Sequence, residues 1–239
     1  MKRKPTRLFL ISFGAQLIFP EKKRSISSFR LSGSSFNETS RRIAITPLTP
    51  FLLSELKKDS LSSLWAYGGF PDGGIQRPKQ FPDWQKNYLT LLVQRDLPLW
   101  GLSASPQIIT RFLKMLAASH GQIWNASQLA SSLGLSYHTV NRYLDYLQNA
   151  FVISLLPPYF KNIGKRLVKS PKIYWNDSGL LHSLLGVTLK NQLMNQPWVG
   201  ASWEGFCISQ ILGTLRSVDK NLTLIILERA TDTKLTFLF

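Results

Sequence analysis

Cysteine is almost missing from this chain of 239 residues: Cys207 stands alone, so no internal disulfide can form. Nothing in cysteine usage points to an oxidising compartment, and a cytoplasmic setting is expected. Histidine is scarce too. His120, His138 and His182 fall in three separate expected elements, and with one cysteine they make no local metal-ligand spacing. Acidic side chains are few, 13 Asp and Glu against 29 Lys and Arg, for a net charge of +16. That imbalance suits a polyanionic partner such as nucleic acid or an acidic membrane face, and equally an acidic protein subunit. No apolar run approaches the roughly 18 residues of a membrane span, so no membrane partner is expected. The phosphate-cradling string G-x-x-x-x-G-K-[ST] occurs nowhere; "NIGKR" at 162–166 keeps only the Gly-Lys pair. No positioned base for a nucleophile can be named. The chain is therefore expected to hold no cofactor and no metal, and to be no enzyme.

What is present is enough to fold. Hydrophobic residues make up 44%, which supports a buried core and argues against wholesale disorder. The start, "MKRKPTRLFLISFGAQLIFP", has the order of a signal peptide, but Ser12, Gly14 and Gln16 break the apolar run and no small-x-small cleavage site follows. Leu8–Ser12 reads instead as a buried strand. Residues 20–42 are rich in Ser and basic residues and read as a loop. Arg42–Leu48 alternates like a strand, and Pro50 opens a short helix through about Leu56. The glycines and proline of "WAYGGFPDGG" read as a loop throughout.

A long helix is expected over Phe81–Trp100, with Trp84, Tyr88, Leu91, Leu92 and Arg95 at helical spacing. A second covers Gln107–Ser119. Asn125 then caps a helix through about Leu133, Gly134 makes a tight turn, and Ser136 caps a helix over Tyr137–Asn149 whose inner face is Val140, Leu144 and Leu147. "FVISLL" and "KIYW" read as strands, and Asn176–Asp177 turns into a helix near Ser178. This order is that of a winged helix. In such a module Ser136, Tyr137, His138, Thr139, Asn141 and Arg142 would face a DNA groove, and the cluster Lys165, Arg166, Lys169 and Lys172 would meet its backbone. A winged helix also serves as a packing brace in larger assemblies, so both roles stay open. Trp203–Leu215 is a further helix with Glu204 near its start, "LTLIILER" is a strand, and "KLTFLF" ends the chain inside a strand, as if cut short.

Taken in order, "GGFP", "YLTLLVQRDL", "ASQLASSLGLSYHTVNRYLDYLQNAFVISLLPPY", "KRLVKSPKIYWNDSGL" and "WVGASWEGFCISQIL" resemble the C-terminal half of a family of prokaryotic AAA-type ATPases. In that family an ATP-binding core precedes a winged helix and a restriction-endonuclease-like segment. "RLFLISFGAQ" is similar to a late strand of the core. In "SRRIAITPLTPFLLSEL", Arg42 falls on the family's arginine and Arg41 replaces its glycine. The resemblance implies a mixed α+β chain in which 1–64 is the end of an ATPase core with a basic loop. Residues 65–160 are then a helical region with the winged helix, and 161–239 an incomplete endonuclease-like segment. It also implies truncation at both ends, before which the nucleotide-binding motifs would lie. In the nuclease-like remnant Glu204 matches the family's helix glutamate and Arg229 its arginine, while Lys234 and Thr236 replace the family's glutamate and aspartate. One carboxylate cannot hold a catalytic metal. The expected partners are double-stranded DNA, or an ATPase subunit or other acidic protein.

Overall fold

A computed structural model describes residues 10–11, 46–47, 49–57, 60–157 and 170–218. Within them the chain is mixed α+β and mostly helical. Strand β1 (Leu10–Ile11) pairs parallel with β2 (Thr46–Pro47), inside the spans read as strands. The expected helix after Pro50 is shorter, a single 3-10 turn at Leu53–Glu55. It is held by the Leu52 N–H donating to Glu55 Oε2 at 2.7 Å and by the Leu53 N–H donating to Gln210 Oε1 at 2.7 Å.

The stretch from Trp65 read as a loop begins inside helix α1 (Leu61–Tyr67), which buries Leu64 and Ala66. Its glycines end it rather than prevent it: Gly68 has φ +82° and its N–H closes the last turn on the Leu64 carbonyl.

Helix α2 (Asp83–Leu91) runs into a π-helical turn (Leu92–Asp96) and then short α3 (Leu97–Leu99). Pro98 has no N–H to give to the carbonyl four residues back, so the ladder widens just ahead of it. The buried face differs from the expected one. Gln85, Leu89, Leu92, Val93 and Leu97 are buried, whereas Leu91 and Arg95 face solvent. Trp84 and Tyr88 are half-buried, stacked on one another and tilted against Phe70.

Helix α4 (Pro106–Ala118) starts on the Ser105 hydroxyl, which accepts from the Ile108 N–H, and buries Ile109, Phe112, Leu113, Leu116 and Ala117. An extended stretch leads to α5 (Ala126–Leu133) and α6 (Tyr137–Asn149), then to β3 (Ile153–Leu156) and β4 (Lys172–Trp175). β3 and β4 pair antiparallel from Ile153↔Trp175 to Leu156↔Lys172. The stretch before α5 lies along the outer edge of β4: the Gly121 N–H donates to the Ile173 carbonyl, the Ile173 N–H to the Gln122 carbonyl, and Ile123 bridges Lys172. One apolar core joins these parts, with Phe112, Leu116, Val140, Leu144, Leu147, Ile153, Ile173 and Trp175 among its members. The β3–β4 pair straddles residue 160, where the chain was divided on sequence grounds.

Helix α7 (Ser178–Leu184) starts at the expected residue, is capped by Asp177, and packs on α1, α2 and α4. After α8 (Lys190–Leu193) comes α9 (Val199–Val218), which begins earlier than the expected Trp203. Ile208 and Leu212 of α9 close over Leu156 and Tyr174, covering a second, smaller cluster. A directed hydrogen-bond chain locks α1, α7 and α9 together. Trp65 Nε1–H donates to Ser202 Oγ at 3.0 Å, and that hydroxyl lies 2.6 Å from His182 Nε2. His182 Nδ1 lies 2.9 Å from the Ala66 carbonyl, which can only accept, so Nδ1 carries the proton and Nε2 receives the serine's. Among the described residues no helix is long and apolar enough to cross a membrane.

Candidate nucleic-acid interface

The turn into α6 is built by local chemistry. Gly134 adopts the left-handed region at φ +67°, and the Leu135 N–H returns to the Ala130 carbonyl. Ser136 then caps α6: its Oγ accepts from the Thr139 N–H at 3.1 Å and bonds the Thr139 hydroxyl at 2.8 Å. Asn125 caps α5 in the same way, accepting from the Gln128 N–H.

These bonds divide the residues singled out in the sequence. Ser136 and Thr139 are engaged with each other. Asn141 Oδ1 accepts from Trp124 Nε1–H at 2.9 Å, which leaves its amide N–H groups as donors. Tyr137, His138 and Arg142 are exposed, the first two edge to face with ring centroids 5.7 Å apart. Across the outer face of α6, Arg142 is followed by exposed Asp145, so this face is polar with its charges nearly balanced.

Positive charge gathers elsewhere. Lys172 sits on β4, partly buried, paired with Leu156 and bridged to Ile123. Lys165, Arg166 and Lys169 lie outside the described residues, in the 158–169 segment, which also holds Lys161 and no acidic residue. The described ends of that connection are nevertheless fixed, because Leu156 and Lys172 are ladder partners. Arg111 and Lys114 on α4 are exposed as well, and Arg111 reaches the Ser132 carbonyl at 3.4 Å.

Trp124 was not singled out in the sequence, yet it connects the two parts. Its backbone N–H donates to the Pro171 carbonyl at 2.8 Å, at the root of the basic connection. Its indole N–H donates to Asn141, one turn into α6. The tryptophan is 9% exposed, so both bonds are largely shielded from water. No local spacing signals this; only the fold brings residues 124, 141 and 171 together.

Glu204 accepts a hydrogen bond from the Tyr174 hydroxyl. Tyr174 also meets the His120 ring edge to face, and His120 Nδ1 accepts from the Trp175 N–H at 3.1 Å. Burial pushes the His120 imidazole down to about 3, so it is neutral. Among the described residues no three His, Cys, Asp or Glu side chains converge to hold a metal ion. Arg229, Lys234 and Thr236 lie outside the described residues.

A family described as a domain of unknown function (DUF8612) matches residues 58–191, more than half of the chain. The chain belongs to the DUF8612 family. The matched span runs from just before α1 into α8 and so contains the whole α4–β4 unit. An uncharacterized protein of Mycobacterium bovis and one of Mycobacterium tuberculosis are each 37% identical over 186 residues, covering 77% of this DUF8612 chain and 42% of the relative. The chain thus spans less than half the length of these curated relatives. No solved structure matches it.

Proposed function

We propose that the α4–β4 unit is a winged helix that binds duplex DNA, with the start of α6 turned to the major groove and the 158–169 connection to the phosphate backbone. The observation that carries this reading is the double bond of Trp124, to Pro171 at the root of the basic connection and to Asn141 on α6. One residue thereby joins α6 to the described chain just after the basic connection. The near-neutral outer face of α6 leaves affinity to the basic connection. Tyr137, His138, Arg142 and the amide of Asn141 are the groups free to touch base edges.

The test is a salt titration of duplex binding by the purified chain, followed by fluorescence anisotropy. If Lys161, Lys165, Arg166 and Lys169 each neutralise one phosphate, the log–log salt slope is about −3.6. Lys169→Ala should flatten that slope by about 0.9. Arg142→Ala should instead change the preference among sequences, by a factor set by about 1–3 kcal/mol for a lost base contact. A folded chain that shifts no duplex at 50 mM salt overturns the proposal.

A second role has one observation behind it. β1 and β2 pair in parallel, and a parallel pair needs a crossover connection as in an α/β core. This supports reading 1–64 as the end of an AAA-type core and the rest as a module that packs on an ATPase subunit. Copurification with an ATP-binding protein would support that role; a lone monomer in pull-downs from its own cell would count against it. Since the chain holds no phosphate-cradling string, neither reading assigns it ATP hydrolysis.

A further inference from the structure

One bond at the start of α6 has a direction that chemistry fixes. Trp124 Nε1–H donates to Asn141 Oδ1 at 2.9 Å. An indole nitrogen can only donate, so the amide turns its oxygen, and not its nitrogen, to the tryptophan. Trp124 is nearly buried. Turning the amide over would leave its shielded N–H without an acceptor, which is costly. The tryptophan is itself held in place, because its backbone N–H donates to the Pro171 carbonyl at 2.8 Å. Asn141 is thus locked with its oxygen engaged.

The other end of the amide stays open. Asn141 is half-buried, and its Nδ2 meets no acceptor among the described residues and is not sealed from water. It lies on the same side of the helix as Tyr137 and His138, four and three residues before it, both exposed. Exposed Arg142 follows it. The hydroxyls of Ser136 and Thr139 are engaged with each other. Two groups of fixed polarity therefore remain, the Asn141 amide nitrogen and the Arg142 guanidinium, and both only donate. An unconstrained Asn offers an acceptor beside its donors; here that acceptor is turned to the protein.

Base edges in the major groove differ in what they offer. Guanine presents two acceptors, N7 and O6. Adenine presents one acceptor and one donor, and the usual pairing of Asn with adenine spends the amide oxygen on that donor. Cytosine presents a donor, and thymine a single acceptor beside a methyl group. We infer that Asn141, held by Trp124, reads guanine and rejects adenine and cytosine at the base pair it faces. The inference rests on the reading of α6 as the groove-facing helix of a DNA-binding unit. Trp124 is then a positioning residue: it touches no base, yet it decides which base Asn141 accepts.

The test is selection of a random duplex library by the full chain at low salt, then anisotropy titrations in which the best site is changed one base pair at a time. One guanine is expected whose replacement by adenine weakens binding about fivefold or more. Asn141→Ala should abolish that preference and leave the other positions and the salt slope as they are. Trp124→Phe keeps a ring in the core and frees the amide to turn, so adenine should match or exceed guanine at the same position. A bond that only stabilised the fold would lower affinity for every duplex alike and leave that ratio unchanged. Asn141→Asp keeps an oxygen for Trp124 and turns a second acceptor to the groove, so the position should then prefer cytosine. An adenine preference at the position that depends on residue 141, no such position in a chain that does bind duplex, or a guanine-to-adenine ratio unmoved by Trp124→Phe overturns the inference alone. Absence of all duplex binding by the folded chain removes the reading beneath it as well.

Discussion

Two glycines with the same backbone hand carry very different weight. Gly68 has φ +82°, and a Cβ there would meet Asp177 Oδ1 at 2.4 Å. Gly134 has φ +67°, and a Cβ there meets nothing within 4 Å. Gly134→Ala should therefore cost only the left-handed backbone term, about 1 kcal/mol. Gly68→Ala should cost more than about 3 kcal/mol, because it also forces a buried carboxylate off its backbone donors. Urea midpoints of the two variants check the difference; equal losses would mean that the Gly68–Asp177 contact is not tight. At this scale the sequence was readable wherever the determinant is local. Asn125 and Ser136 could be named as caps because a capping side chain reaches only two or three residues ahead. Trp124 could not be named, because its partners at 141 and 171 are brought to it by the fold.

For the elements, hydrophobic spacing and caps located α4, α5, α6, β3, β4 and α7 closely. They failed where one residue changes the period. Pro98 widens the turn ahead of it, so the buried face passes through Leu97 and leaves Arg95 in water. A 3.6-residue template cannot anticipate that shift. α1 was missed because Gly68 and Gly69 were weighed as breakers of the whole stretch, whereas they act only at its C-terminal end. Among the candidate contacts, the exposure of Tyr137, His138 and Arg142 follows from their place opposite Val140 and Leu144. The engagement of Asn141 does not. Ser136→Ala removes the cap of α6 and should lower stability by about 1 kcal/mol. Faster amide exchange confined to the first turn of α6, at Tyr137, His138 and Thr139, is the local reading that checks it. Unchanged exchange there would mean that the cap is not holding the helix start.

Over the whole molecule, buried ionisable groups set the response to acid. Burial holds His120 down to about 3 and His182 down to about 4, so both are neutral in the fold. A histidine with a depressed pKa contributes stability above its ordinary value of 6.5 that is lost as the pH falls. Asp177 works the other way: its carboxyl is raised to about 6, so its contribution is present at low pH and lost as the pH rises through 6. Two histidines outweigh one carboxyl. Near pH 5 the unfolded chain binds about one more proton than the fold, so stability should fall by about 1.4 kcal/mol per pH unit on acidification. Denaturation midpoints from pH 7 to pH 4 measure this. His182→Gln, which keeps a hydrogen-bonding side chain but cannot titrate, should halve the histidine part of the dependence, and an unchanged slope would show that His182 does not supply it.

The pairing of Leu156 with Lys172 has a consequence for chain continuity. The described residues on either side of the connection between them interlock: α1, α2 and α4 pack on α7, and β3 pairs with β4. The covalent link between 157 and 171 is thus not what keeps the two parts together. A protease cut within 158–169 should yield two fragments that elute as one particle under native conditions and separate only in denaturant. Fragments ending and starting there, expressed apart, should reassemble on mixing. The protein is in this sense a heterodimer written on one chain.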